Sequence, residues 1–380
     1  MPLLRERLDA PGGPTDVGPP PRFTTLGPRL GFGAWAVGGD GWGPPDAERD
    51  RLAAVERAVE RGITFFDTAP SYGSGASEVL LGQALARRRE HVAIATKVGP
   101  RDDPRTSLEA SLRRLKSEYV DLVQLHEALA RWEWQLEKLY ELQEEGKARA
   151  LGLSNATYRQ LARARELVPL ASYQGPYNLF DRDVEQRELP WCREHGVAFL
   201  AYRPLAAGLL SGKYATPPQF PEGDHRRKLY WFAGPEFDRR RQVMARLESV
   251  ARAAGTSLAA LALGWVLARP GVSIALAGAR TAAQVDHNLA AVERPLTAPE
   301  SSAIDALVAE AFRPPRAGDA LRARAAAWGA RERYIVDQLD GDKSYETIAA
   351  EWTDRSEQPM IAAQVKVFVD QLAAQGLITG

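Results

Sequence analysis

Four ionisable residues sit at or just beyond the ends of three successive apolar runs. Asp67 closes the second run, Tyr72 follows it by five residues, Lys97 closes the third and His126 the fourth. These residue types suit proton transfer without a metal. A phenol with an unperturbed pKa of about 10 is a poor acid at neutrality. A buried ammonium beside it favours phenolate and is expected to bring that pKa down toward working pH. Lys97 fits that task if Asp67 keeps it charged and in place, and His126 could then orient a carbonyl oxygen by donating a hydrogen bond. The set describes protonation of a carbonyl oxygen as its carbon accepts hydride. Each residue also has a plainer reading: a turn cap for Asp67, a loop anchor for Tyr72 in PSYGSG, a solvated strand end for Lys97 and a core histidine for His126. Their joint position at neighbouring strand ends favours the chemical reading.

Strand ends matter only if the strands lie side by side. Strand-like runs occur at residues 30–33, 63–66, 92–97, 120–125, 150–153, 171–174, 198–202 and 273–277. Amphipathic helical patterns fall at 46–61, 77–87, 106–117, 132–145, 157–167, 183–195, 257–269 and 282–292. Strict alternation forces parallel strands with right-handed crossovers. Eight units favour closure into a (β/α)8 TIM barrel, whose reactive groups lie at the C-terminal strand ends. A long Pro-, Arg- and aromatic-rich loop at 211–236 breaks the rhythm, and long loops in compact domains are usually functional. Arg313-Pro314-Pro315 ends the barrel pattern. Beyond it the chain reads as a small all-helical extension, with helices at 321–339, 345–352 and 360–375, a turn at Asp340-Gly341 and a stop at Gly376. The expected organisation is a flexible Pro/Gly-rich segment at 1–22, a barrel at 23–312 and a helical module at 313–380.

Composition narrows the function classes. The 380 residues are 45% hydrophobic and 26% charged, as in ordinary globular chains. Lys plus Arg (49) balances Asp plus Glu (49), so the basic excess of a nucleic-acid binder is missing. No apolar run approaches the roughly 18 residues of a membrane span. One cysteine, Cys192, excludes an intramolecular disulfide and argues against a Cys-based metal site. The opening MPLLRERLDA has no apolar secretory core, so a cytoplasmic location is the expectation.

The stretch GITFFDTAPSYGSGASEVLLGQAL, with LGFGAWAVGG before it and ATKVG and YVDLVQLH after it, resembles the aldo-keto reductase superfamily. The similarity continues through GLSN, YQGPYNLF, AYRPLAAGLLSGKY and ALAGARTAAQVDHNL. It implies a (β/α)8 barrel and NADPH-dependent reduction of an aldehyde or ketone. The family's tetrad falls on Asp67, Tyr72, Lys97 and His126, with Tyr72 as general acid. Further implied contacts are Ser154, Asn155 and Gln174 on the nicotinamide carboxamide and Tyr202 stacked on its ring. Pro204, Leu205, Ala206, Leu210, Ser211 and Lys213 would fold over the pyrophosphate, and Gly278, Arg280, Gln284 and Asn288 would hold the adenosine end. Arg280 suits a 2′-phosphate, because guanidinium offers a forked and permanent charge. His287 replaces the acidic residue usual before that Asn. Gly31-Phe32-Gly33-Ala34-Trp35-Ala36 fits the loose dinucleotide fingerprint, but no helix can follow through the Gly/Pro-rich residues 37–45. On the barrel reading Gly33 and Trp35 instead approach nicotinamide and substrate. Trp35, Glu127, Tyr230, Trp231 and Phe232 are candidates for lining a substrate pocket, with loop packing as the alternative for the aromatics.

The C-terminal extension resembles the helical part of PqqD-like and related winged-helix modules, although no strand pair is evident. Its nine basic and ten acidic residues argue against DNA. The other reading is a helical lid or an appendage for self-association. The sequence thus points first to a carbonyl reductase. The alternative is an NADP(H)-binding regulatory or scaffolding subunit that engages a protein partner through the extension.

Overall fold

The computed structural model describes residues 21–43, 47–312, 321, 325, 328–339, 343–356, 359–374 and 378. Eight parallel strands close in sequence order: β1 (Leu30–Gly33), β2 (Phe65–Asp67), β3 (Ala93–Val98), β4 (Leu122–Leu125), β5 (Leu151–Ser154), β6 (Leu170–Pro176), β7 (Ala198–Tyr202) and β8 (Val272–Ala277), which pairs back to β1. The fold is the expected TIM barrel. Strand ends move from the predicted positions by no more than two residues. The start of the fourth is the exception in kind: Val120 makes only an isolated bridge to Ala148.

Among the described residues ten helices pack with the barrel: α1 (Glu48–Glu60), α2 (Ala76–Leu85), α3 (Pro104–Leu115), α4 (Trp132–Glu144), α5 (Tyr158–Leu167), α6 (Glu188–Glu194), α7 (Gly234–Ala253), α8 (Leu258–Leu267), α9 (Ala282–Glu293) and α10 (Ala298–Ala311). Strict one-to-one alternation is therefore corrected twice. Both α7 and α8 lie between β7 and β8, and α10 follows α9. The buried face of α7 (Phe237, Val243, Met244, Leu247, Ala251) follows helical spacing, diluted by charged neighbours. The start of α10 is marked by a Thr297–Glu300 capping box, with Pro299 in its first turn. The helix predicted at 183–195 is broken: a 3-10 turn at Asp183–Glu185 precedes α6, whose Pro190 has no N–H to sustain a longer run.

Side-chain period two sorts each strand into an inner and an outer face. In β3, Ala93, Ala95 and Lys97 face the barrel axis, while Ile94 and Val98 join the core under the helices. The same alternation turns Phe65 and Asp67, Leu122 and Gln124, Ser172 and Gln174, and Leu200 and Tyr202 inward. Below, the interior is apolar: Phe65, Leu122, Leu200, Ile274 and Leu276 surround the two alanines of β3. Phe23, on a 3-10 turn before β1, plugs the lower end, its ring 5.5 Å from that of Phe65. Charged residues occupy the upper, C-terminal end, and lower down Ser172 donates to Gln124 across the interior at 3.3 Å.

Among the described residues the extension holds three further helices that can be bounded: α11 (Ala330–Asp337), α12 (Tyr345–Ser356) and α13 (Ala362–Ala374). Leu321 and Ala325 are also helical, and the described residues beyond 312 include no strand. The extension has its own core around Ile335, Val336, Ile348, Trp352, Val365 and Val369. It meets the barrel through polar bonds. The Ala362 N–H donates to Asp183 (3.1 Å), and Arg187 donates to Asp354 and to the Ala350 carbonyl (2.9 Å each). The Asp340-Gly341 turn, the Gly376 stop and most of the Pro/Gly-rich lead-in lie outside the described residues.

Replacing Phe23 by Ala removes the lower plug at the end of the barrel away from the polar residues. The unfolding free energy is expected to fall by about 3 kcal/mol, read by denaturant titration.

Candidate active site

The interior alternation brings Asp67 and Lys97 together at the top of adjacent strands, 3% and 1% exposed. Lys97 Nζ donates to Asp67 Oδ1 at 2.6 Å, to the Thr68 carbonyl at 2.9 Å and to the Tyr72 hydroxyl at 3.2 Å. All three ammonium protons are thereby engaged. The second oxygen of Asp67 accepts from Gln174 Nε2 at 2.8 Å. Burial disfavours the Lys97 ammonium, but Asp67 and then Tyr72 outweigh it and hold its pKa above the ordinary value. Lys97 is a cation with no proton to spare.

Tyr72 departs from the sequence-based expectation. Burial raises its pKa, Lys97 lowers it, and burial prevails, so the hydroxyl stands above rather than below an ordinary phenol. The group is fully loaded with its proton, and the ammonium acts on the phenolate that would form once that proton leaves. His126 faces Tyr72 edge-on, ring centroids 5.9 Å apart. Burial, then Lys97, push its pKa down to about 3. The ring is therefore neutral and keeps one N–H donor.

The Tyr72 turn is fixed by close backbone contact. Gly73 has φ 62°, and a Cβ there would lie 2.0 Å from the Gly38 carbonyl oxygen, so only glycine fits. Its N–H donates to Asp40 Oδ1 at 2.9 Å. From the same β1 loop, the Trp35 ring stacks on Tyr72 at 5.7 Å and 19°.

The residues assigned by resemblance to the nicotinamide end form one patch. Asn155, with φ 52°, donates to the His126 carbonyl at 3.0 Å and to Ser154 Oγ at 3.2 Å, and accepts from the Tyr202 hydroxyl at 2.8 Å. Gln174 is committed on one side to Asp67. After β7 the backbone takes positive φ at Arg203, Ala206 and Ala207, leading through Leu205 into the 3-10 turn Ala206–Ser211 that holds Leu210 and Ser211. Such strain in non-glycine residues clusters at functional sites.

Cations gather beyond that turn. Burial, then Arg226 and Arg280, lower the pKa of Lys213. Arg280 and Arg226 both donate to the Trp42 carbonyl, at 3.1 and 3.2 Å. The Gln284 side chain accepts from the Arg280 N–H at 2.8 Å, and Asn288 donates to the Gly278 carbonyl at 3.3 Å. These residues therefore meet around the start of α9.

The substrate candidates divide. Trp35 lies against Tyr72, and Glu127 is exposed beside His126. The Tyr230 hydroxyl accepts from Arg240 at 3.2 Å, and the half-buried Trp231 packs edge-on against Tyr230 at 5.1 Å. Phe232 is a correction. It is 3% exposed, with its ring 5.6 Å from Tyr214 and 4.9 Å from Phe220, so it packs the loop's own aromatic cluster. Sequence reasoning missed His225, whose ring is 4.3 Å from both Trp35 and Trp42. It also missed Arg226, which looks like part of a solvated HRRK run but is buried on Asp224. His225 has no local signal because its ring partners lie far away in the chain, whereas the partner of Arg226 is two residues away and its burial comes from the distant Trp42 loop.

A closed parallel barrel with a buried lysine, a carboxylate and a tyrosine meeting at its C-terminal rim defines a barrel enzyme with proton-transfer groups. The chain matches the Aldo/keto reductase family over residues 29–309 and belongs to that family. It is an oxidoreductase. It is 36% identical over 275 residues to the aldo-keto reductase YhdN of Bacillus subtilis, covering 68% of this chain and 83% of that protein. Among solved structures it is similar to a glycerol dehydrogenase from Gluconobacter oxydans, with TM-score 0.70, 37% identity and coverage of 76% and 94% of the two chains. It is also similar to an aldo-keto reductase from Klebsiella pneumoniae in complex with NADPH, with TM-score 0.60, 29% identity and coverage of 74% and 91%. Among the described residues no group of three or more His, Cys, Asp and Glu side chains could hold a metal, and no single helix is long and apolar enough to cross a membrane.

The depressed His126 pKa predicts a specific pH response. Below about pH 6.5 the unfolded chain binds a proton at this residue. The folded chain binds one only near its pKa of about 3. This residue therefore makes stability fall as pH drops through that window. In NMR titration the His126 ring signals are expected to hold their neutral positions down to about pH 5.

Proposed function

We propose that this protein reduces an aldehyde or ketone to the alcohol with NADPH, Tyr72 delivering the proton. The observation that carries the reading is the contact of Lys97 Nζ with both Tyr72 (3.2 Å) and Asp67 (2.6 Å). Tyr72 holds its proton and presents it to the substrate oxygen. As the proton leaves, the phenolate forms against an ammonium already in place, so little reorganisation is needed. Asp67 keeps that ammonium charged, and Gln174 keeps Asp67 oriented. Neutral His126 donates its N–H to the same substrate oxygen and selects the pose in which Tyr72 can reach it. Trp35 forms the wall beside Tyr72, with Glu127, Tyr230 and Trp231 toward the rim.

NADPH, when bound, supplies the hydride. The residues present fit it. Lys213 and Arg280 form a cationic pair suited to phosphate groups, with Arg226 neutralised by Asp224 behind them, and Arg280 would hold the 2′-phosphate. Gly278, Gln284 and Asn288 surround the place for the adenosine end. Pro204, Leu205, Ala206, Leu210 and Ser211 belong to the strained segment that would meet the pyrophosphate. Ser154, Asn155 and the free side of Gln174 would bind the carboxamide, Tyr202 would face the ring, and Gly33 leaves room beside it. The NADPH complex of the Klebsiella pneumoniae relative supports the same cofactor.

Tyr72→Phe tests the reading. It retains the ring and its stack on Trp35 but loses the acidic hydrogen. Carbonyl reduction, followed by the loss of reduced-nicotinamide absorbance over an aldehyde and ketone panel, is expected to drop at least about 100-fold. NADPH binding by fluorescence titration should stay at the wild-type level. Wild-type turnover in the variant would refute Tyr72 as the acid.

A further inference from the structure

We infer that Lys366, in the C-terminal extension and outside the matched family region, is a positioning residue for the barrel-mouth segment 225–232. It acts through Glu236 and Arg240, and it thereby serves substrate binding at the site proposed above. Lys366 lies on α13 and is 4% exposed. Its ammonium bonds one oxygen of Glu236, in the first turn of α7, and Asp370 Oδ2 at 2.5 Å. The other Glu236 oxygen accepts from Arg240 Nη1. Arg240 is 2% exposed; its Nη2 donates to the Tyr230 hydroxyl at 3.2 Å, and its guanidinium lies 5.2 Å over the Tyr230 ring. Two ion pairs in series thus run from the extension to Tyr230.

The same segment is tied at its other end to the reactive residues. His225 donates its backbone N–H to the Gly41 carbonyl at 3.0 Å and packs its ring 4.3 Å from Trp35, which stacks on Tyr72. Residues 225–232 therefore span the distance between the wall of the phenol and the extension. Two cations and two carboxylates balance in the Lys366, Arg240, Glu236 and Asp370 group. Without the ammonium, Glu236 loses the partner of its second oxygen and is held by Arg240 alone, while Asp370, whose side chain is 43% exposed, is left to solvent. Glu236 and Arg240 then lose the single arrangement that holds the hydroxyl. The extension stays attached in that case, because Asp183, Arg187 and their partners Ala362, Asp354 and Ala350 lie elsewhere on the interface.

The test uses the full chain, with para-nitrobenzaldehyde and NADPH as the probe pair. Lys366→Met is expected to raise KM for the aldehyde about tenfold, with kcat altered less than about twofold and NADPH affinity unchanged. Lys366→Arg, which keeps the charge, should stay near wild type. Hydrogen exchange at residues 225–232 should quicken in Lys366→Met and not in the β2 and β3 strands. Glu236→Gln serves as the second variant if Lys366→Met fails to fold, with the same expectation. Unchanged KM overturns the inference whether or not exchange quickens, and so does unchanged exchange. If the wild type reduces no carbonyl, the proposed function fails, and the exchange measurement alone still decides whether Lys366 braces the segment.

Discussion

The arrangement depends on one buried ion pair. Taking Lys97 and Asp67 out of water costs several kcal/mol per ion, and the barrel offsets this only because every donor and acceptor is used. Lys97 has three acceptors, and Asp67 has Lys97 on one oxygen and Gln174 on the other. A buried pair of this kind is poor evidence for stability. A well-packed apolar pair would fill the same space at lower cost. Its retention makes sense through the third acceptor, Tyr72, because an ammonium locked by a carboxylate can serve a phenol without surrendering its own proton. The small residues below it, Ala93 and Ala95, leave the lower barrel to the large apolar side chains, so the polar cluster is confined to the rim.

The rim itself is assembled from loops that are individually irregular. The β1 loop supplies Trp35, Gly38, Asp40 and Trp42, and the β7 loop supplies His225 and Arg226. The two meet through the Trp42 carbonyl and the His225 ring. Arg280, after β8, joins at the same carbonyl. Positive φ at Arg203, Ala206 and Ala207 costs roughly 1–3 kcal/mol each, and it is sustained where β7 and its neighbours are packed on both faces. Rigid strands below and interlocked loops above divide the work. The strands fix Lys97 and Asp67 in place, while the loops set what can approach Tyr72.

How much of this was readable in the chain follows from the range of the interactions. Period-two alternation and β-branched runs are local, so the eight strands, and with them the strand-end positions of Asp67, Lys97 and His126, could be read from residue order. Interior contacts are not local. Nothing near Gln174 announces that it binds Asp67, and nothing near His225 announces Trp35. Phe232 shows the converse, since an aromatic triplet in a mouth loop contains one member that faces inward to Tyr214 and Phe220. The direction of the Tyr72 shift is not legible in residue order for a related reason. Residue types reveal that an ammonium stands nearby, whereas the desolvation opposing it depends on packing that only coordinates display. The α7 helix was hidden because its charged residues dilute an otherwise regular apolar face.

The extension poses a different question, since its apolar residues are spent on its own core and its contact with the barrel is mainly polar. Interfaces of that composition normally permit relative motion between the parts they join. Here the polar contacts are directed at the β6 loop through Asp183 and Arg187, and at the first turn of α7 through Glu236. Both elements leave the catalytic face of the barrel, and neither lies at the plugged lower end near Phe23. An appendage placed for bulk stability would gain more by covering apolar helix surface on the barrel wall. Attachment by bonds of defined geometry, at the face where the reactive groups emerge, instead couples the extension to the loops above the strands. At Glu236 that attachment passes through Lys366 and Arg240, side chains buried enough to escape most screening by salt, whereas the Arg187–Asp354 pair is open to it.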